Sequence, residues 1–146
     1  MTWFDANVLS NTEYVTPTVA YMHINASQTH KMLDVRSFCE RKFVGRPVLP
    51  DGQYHQAPLF PDNGKNFNIG SPLLSWAIDV LTSFSQGDTV YSMCRSASRS
   101  KYGVVLTHLL GFQSKEVLGG FQGNKLDGKR YQFEGWVYEN MPHVIG

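Results

Sequence analysis

Two rhythms of apolar and polar positions alternate along the chain. Short apolar runs are separated by segments whose apolar residues recur at helical spacing. Thr16-Pro17 reads as an N-cap and first helical position, with Val19, Ala20, Met22 and Ile24 opening an apolar face. Residues 31–35 (KMLDV) predict a buried strand, and residues 37–43 a brief helix. Pro47, Pro50, Pro58 and Pro61, with the turn signals Asp51-Gly52 and Asn63-Gly64, predict a long irregular loop over 45–66. A third short strand is expected over 67–69. Ser71-Pro72 then opens the clearest helix, with Leu73, Leu74, Ala77, Ile78, Leu81 and Phe84 at helical spacing. Residues 89–93 (TVYSM) predict a strand leading directly into Cys94. Val104, Val105, Leu106, Leu109 and Leu110 mark another helix, stopped by Gly111, and residues 115–118 form a last strand before Gly119-Gly120.

Strands separated by helical segments imply a parallel sheet covered by helices on both faces. Binding and catalytic sites of such sheets form at the carboxyl ends of the strands, and Cys94 lies at one of those ends. The 146 residues suit one domain, 1–146, with 1–13 as an extended N-terminal segment.

Composition narrows the function classes. A formal net charge of +1 argues against a nucleic-acid or anionic-membrane surface, which needs a basic excess. Two cysteines, Cys39 and Cys94, make no disulfide framework, and no Cys/His spacing suggests a metal; His23, His30, His55 and His143 are scattered. No cofactor motif is present. No apolar run reaches membrane-span length, and the N-terminus lacks a basic start and an apolar stretch. The reading is cytoplasmic, or periplasmic if an export signal has been removed.

The chemistry concentrates in Cys94-Arg95-Ser96-Ala97-Ser98-Arg99-Ser100. A loop between a strand and a helix turns successive backbone N–H groups inward, and the helix adds its positive end. Arg95 and Arg99 add full charges, and the serines allow tight curvature and further hydrogen bonds. These surroundings stabilise a thiolate. Cys39, by contrast, reads as a packed small hydrophobe. His108 reads as solvent-facing or satisfied, and Trp136 as core.

The loop Cys-Arg-Ser-x-x-Arg-Ser after a strand resembles the active-site loop of rhodanese-type sulfurtransferases. Other pieces fall in that family's order: Leu33-Asp34-Val35-Arg36 with Glu40, Asn68-Ile69, Gly111-Phe112, Val117 to Phe121, Gly135-Trp136 and Met141-Pro142. The resemblance runs from about Tyr14 to the C-terminus. It implies an α/β three-layer sandwich with a mostly parallel five-stranded sheet. It also implies a persulfide on Cys94, loaded by a small sulfur-containing anion such as thiosulfate and unloaded by cyanide, a thiol or a protein acceptor. Arg95, Ser96, Ala97, Ser98, Arg99 and Ser100 would bind the donor, and Asp34 and Arg36 would fix the carboxyl edge of the sheet.

This chain departs from the family in three places. Ala97 stands where many relatives have glycine, which costs about 1–2 kcal/mol if a positive φ is needed there. Residues 45–66 exceed the family's usual connection, with Arg46 where histidine is common. Residues 122–134 enlarge the segment before Trp136, and their Lys125, Lys129 and Arg130 read either as a cationic rim or as a solvated loop. Two other functions compete with sulfur transfer. A cysteine phosphatase or arsenate reductase places its arginine six positions after the cysteine, whereas Arg99 is five after Cys94 and Ser100 is the sixth. A non-enzymatic module that carries sulfur or binds a partner would keep the same thiolate.

Overall fold

The computed structural model describes residues 13–59, 71–96 and 99–145. The elements are β1 (Tyr14–Val15), α1 (Pro17–Ala26), β2 (His30–Asp34), α2 (Phe38–Val44), β3 (Arg46–Pro47), β4 (Tyr54–Gln56), α3 (Ser71–Ser83), β5 (Thr89–Met93), α4 (Ser100–Leu109), β6 (Gln113–Val117) and β7 (His143–Val144). Five strands form one sheet in the order β1-β6-β5-β2-β4, and every pairing in it is parallel. β3 and β7 form a separate antiparallel pair. Asp34 stands opposite Met93 and Gln56, so β2, β4 and β5 end at one level.

Strand alternation divides the core between the faces of the sheet. Leu33, Val35, Val90 and Cys94 join Trp76, Val80 and Phe84 of the α3 region and Leu106 of α4. Met32, Tyr91, Met93 and Val117 join Ala20 and Ile24 of α1, together with Phe121 and Trp136. Helices therefore cover both faces. α4 lies close on β5 because Gly103 is there; a Cβ at that position would come within 2.9 Å of Ser92 Oγ.

Several sequence expectations change. The stretch 45–66 is not wholly irregular: Tyr54–Gln56 pairs with β2 as an edge strand, and Arg46–Pro47 pairs with β7. Proline signals mark turns, and short edge strands between turns escape them. The buried residues of α3 include Trp76 and Val80, while Leu74, Ile78 and Leu81 are exposed. Two apolar stripes run along this helix, and periodicity alone does not choose between them. Met22 and Leu109 are likewise exposed, and the last strand starts at Gln113. The strand expected over 67–69 lies outside the described residues. No helix among the described residues is long and apolar enough to cross a membrane.

Candidate active site

The carboxyl edge of β2, β5 and β6 brings together Asp34, Cys94 and the Gly119-Gly120 turn. The Cys94 carbonyl accepts a hydrogen bond from Phe121 N at 2.7 Å. The Arg95 carbonyl accepts from Gln122 N at 2.9 Å and Gly123 N at 3.2 Å. The turn after β6 therefore clamps the start of the cysteine loop. Gly120 allows this approach, since its φ is +63° and a side chain there would collide with the Cys94 carbonyl.

The Cys94 side chain is fully buried. Its Sγ lies 3.5 Å from Ser100 Oγ, and Ser100 Oγ donates to Glu116 Oε2 at 2.9 Å. Lys101 Nζ reaches Glu116 Oε1 at 3.2 Å, and Glu116 itself is 1% exposed. A hydroxyl has one proton to give. With that proton on Glu116, Ser100 accepts from the Cys94 thiol, and it must turn away from Glu116 to donate to a thiolate. Glu116 is absent from the sequence reading. Its signal is a carboxylate in the apolar end of the last strand (Glu-Val-Leu), where burial requires a partner. Ser100 also opens α4, whose N-cap Arg99 makes no side-chain cap, so the positive end of that helix faces the sulfur's surroundings.

Arg99 directs its planar fork onto Glu40, with Nη1–Oε1 at 2.7 Å and Nη2–Oε2 at 2.8 Å. The carboxylate is held for this by the capping box of α2: Ser37 N donates to Glu40 Oε1, and Glu40 N donates to Ser37 Oγ. Burial pushes the Glu40 carboxyl up, but the bond and charge of Arg99 outweigh it and hold the group below the usual carboxylate range. Burial likewise works against the Arg99 guanidinium, and Glu40 raises it overall. Arg95 is exposed and Ser96 half-buried. Ala97 and Ser98, with the backbone nest expected of them, lie outside the described residues.

Asp34 and Arg36 form a second pair, with both side chains fully buried. Asp34 accepts from Arg36 N, Nε and Nη2, the last at 2.7 Å, and from the Tyr54 hydroxyl at 2.6 Å. Burial, then the Asp34 charge, drives the Tyr54 hydroxyl well above its ordinary range. Arg36 Cζ lies 4.5 Å over the ring of Phe121, the residue whose N–H meets the Cys94 carbonyl. Tyr54 was missed because it belongs to the unpredicted edge strand.

Cys39 is exposed on α2 rather than packed, since α2 buries none of its residues. The histidines are less scattered than the sequence suggested. His23 Nδ1 and His30 Nδ1 both meet the Tyr91 hydroxyl, at 2.9 and 2.8 Å, at the amino ends of the strands. Lys115 and Gln113 line the same cavity of about 250 Å³, at the opposite edge from Cys94. Burial and then the neighbouring His23 lower the His30 imidazole, and burial pushes Tyr91 up to about 12. No cluster of three or more metal-ligating side chains occurs among the described residues.

No protein-family model matches the chain, and no curated protein matches it. Solved structures do. The Rv0390 protein of M. tuberculosis superposes with a TM-score of 0.73 at 25% identity, covering 92% of this chain and 98% of its own. The polysulfide-sulfur transferase homodimer of Wolinella succinogenes gives 0.66 at 17% identity, covering 96% and 83%. A rhodanese-related protein of Thermoplasma volcanium gives 0.58 at 18% identity, covering 92% and 99%. A Rhodopseudomonas palustris protein described as a possible tyrosine phosphatase gives 0.57 at 14% identity, covering 94% and 89%. At these identities the shared property is the fold, and that fold is rhodanese-like.

Proposed function

We propose that the chain is a sulfurtransferase that carries a sulfane sulfur as a persulfide on Cys94. The observation that carries the reading is a cysteine at the carboxyl end of β5, on a rhodanese-like fold, with Arg95 and Arg99 in the same loop. The thiolate attacks the outer sulfur of thiosulfate, the sulfur–sulfur bond of the donor breaks, and sulfite departs with the bonding pair. Thiolate plus thiosulfate thus becomes persulfide anion plus sulfite. Cyanide or a thiolate then takes the outer sulfur and returns the Cys94 thiolate. Sulfite leaves as a stable anion, so loading needs no proton donor. Cys94 starts from a buried thiol that donates to Ser100. A polysulfide, the donor class named for the Wolinella relative, would enter by the same attack.

A phosphatase remains the second reading, because one fold neighbour is described that way. The five-residue step from Cys94 to Arg99, and the engagement of Arg99 by Glu40, favour sulfur. Thiosulfate:cyanide turnover that disappears in Cys94→Ser, beside negligible hydrolysis of an aryl phosphate, is the expected result. Aryl phosphate hydrolysis dependent on Cys94, without sulfur transfer, would reverse it.

A further inference from the structure

The segment after Gly120 is a built hairpin. Leu126 and Lys129 exchange backbone hydrogen bonds at 2.8 and 3.0 Å across Asp127-Gly128, whose φ values are 53° and 76°. Two central residues of positive φ define the hairpin turn that Asp-Gly pairs favour. Its arms are tied at the base. Asn124 N and Nδ2 donate to Glu134 Oε2 at 2.9 and 2.6 Å, Tyr131 N donates to Gln122 O at 3.0 Å, and Gln122 Nε2 donates to the Tyr131 hydroxyl at 2.9 Å.

Arg130 turns inward from this hairpin, its Nη1 donating to Gly123 O at 2.8 Å. Gly123 N in turn donates to the carbonyl of Arg95. Arg130 is thus fixed one residue away from the backbone of the cysteine loop, close enough to feel the charges of Arg95, Cys94 and Glu40. Burial and then the neighbouring Arg95 lower its guanidinium. Arg130 thus joins Arg95 and Arg99, the two arginines of the Cys94 loop itself. Glu40 takes both arms of Arg99. Arg95 and Arg130 remain, with no carboxylate ion pair to either among the described residues.

We propose that Arg130, delivered by the hairpin, and Arg95 form the subsite for the oxyanion group of the sulfur donor. This deepens the sulfurtransferase reading and rests on it for the identity of the donor. A guanidinium fork matches oxyanion oxygens, and two adjacent forks match a dianion. A polysulfide has no oxygens to offer them. The attacked sulfur lies toward Cys94 and the departing sulfite toward the arginines, so the subsite selects sulfonate-like donors over polysulfide. Arg99, the arginine favoured by sequence, holds α2 to the loop.

The test uses the full chain and three variants. Arg130→Gln keeps an N–H donor for the Gly123 carbonyl and removes the charge. Arg130→Lys restores charge without the fork, and Tyr131→Phe removes one side-chain bond at the hairpin base while leaving Arg130 and its Gly123 contact in place. Sulfite is titrated by calorimetry, which needs no turnover, and ping-pong kinetics are measured with thiosulfate, polysulfide and cyanide. Arg130→Gln is expected to weaken sulfite binding roughly ten- to a hundredfold. It should lower kcat/KM for thiosulfate similarly and leave the values for polysulfide and cyanide unchanged. Arg130→Lys should recover part of the loss, and Tyr131→Phe should bind sulfite like the parent. Loss of sulfite binding in Arg130→Gln from a protein that transfers no sulfur would uphold the subsite and end the sulfurtransferase reading. Equal sulfite binding by parent and Arg130→Gln, failure of parental sulfite binding, or an equal loss in Tyr131→Phe would overturn the subsite. So would a polysulfide defect as large as that for thiosulfate.

Discussion

The two arginine–carboxylate pairs beside Cys94 share a contact distance and little else. Arg36 and Asp34 meet at 2.7 Å with both side chains fully buried; Arg99 and Glu40 meet at 2.7 Å with about a fifth of each side chain exposed. Asp34 spends its oxygens on Arg36 and Tyr54, and those groups belong to β4 and to the turn after β2. Removing either member strands a charge where water cannot reach it. Glu40 and Arg99 join a short surface helix to the cysteine loop, and water can replace each partner. Contact distance therefore says little about role, and burial separates the pair that holds the sheet edge together from the pair that can open.

The largest expected effect lies on the buried side. Asp34→Ala or Arg36→Met should lower unfolding free energy by about 3–5 kcal/mol, read from urea denaturation. A loss under about 1 kcal/mol, the range of exposed pairs, would erase the distinction. Tyr54→Phe removes one hydrogen bond to the same carboxylate and should cost about 1–2 kcal/mol.

At the half-buried pair, stability and activity should part company. Glu40→Gln and Arg99→Ala should each change unfolding free energy by no more than about 1 kcal/mol. Circular dichroism should show the parental fold in both. Arg99→Ala also removes a charge near Cys94, so alkylation of Cys94 at neutral pH should slow, while Arg99→Lys should react like the parent. Destabilisation of Arg99→Ala by as much as Asp34→Ala would show the two pairs to be equivalent.

The smallest effect is the pH dependence of the half-buried pair. Glu40 has a folded pKa below its ordinary 4.5, so its contribution is fully present above that value and is lost as pH falls through the folded one. Glu40→Gln should lower stability at neutral pH by no more than about 1 kcal/mol and flatten the profile below about pH 4.5. At the far edge of the sheet His30 gives a separate step of the same sign. Its folded pKa lies below 6.5, because burial, His23 and Lys115 outweigh Asp88, so stability should fall as pH drops below 6.5. His30→Asn should remove that step alone.

Much of this architecture is legible in the sequence, and the rest is hidden for identifiable reasons. Residues 31–35 and 89–93 announce central strands because they are apolar on both faces, as strands of a parallel sheet must be. Tyr54–Gln56 gives no such signal, being three half-buried residues between turns, and Tyr54 was lost with it. Cys94 and its arginines stand out by local composition. The Glu40–Arg99 contact spans 59 positions and depends on a capping box that orients the carboxylate, so no local pattern reports it. Glu116 is hidden for a similar reason, since only the approach of α4 to β6 brings Ser100 to it. For 122–134 the sequence left a cationic rim and a solvated loop equally open. The Asp127-Gly128 turn and the inward bond of Arg130 to the Gly123 carbonyl are contacts that composition does not report.

The central claim is that the buried cysteine, and not the exposed one, carries the transferred sulfur. Intact-protein and peptide mass spectrometry after thiosulfate treatment tests it directly. The account predicts the added mass of one sulfur atom on the peptide containing Cys94, removable by cyanide and absent in Cys94→Ser. Addition on Cys39, or no addition from thiosulfate or polysulfide under conditions where Cys94 is reduced, would contradict it.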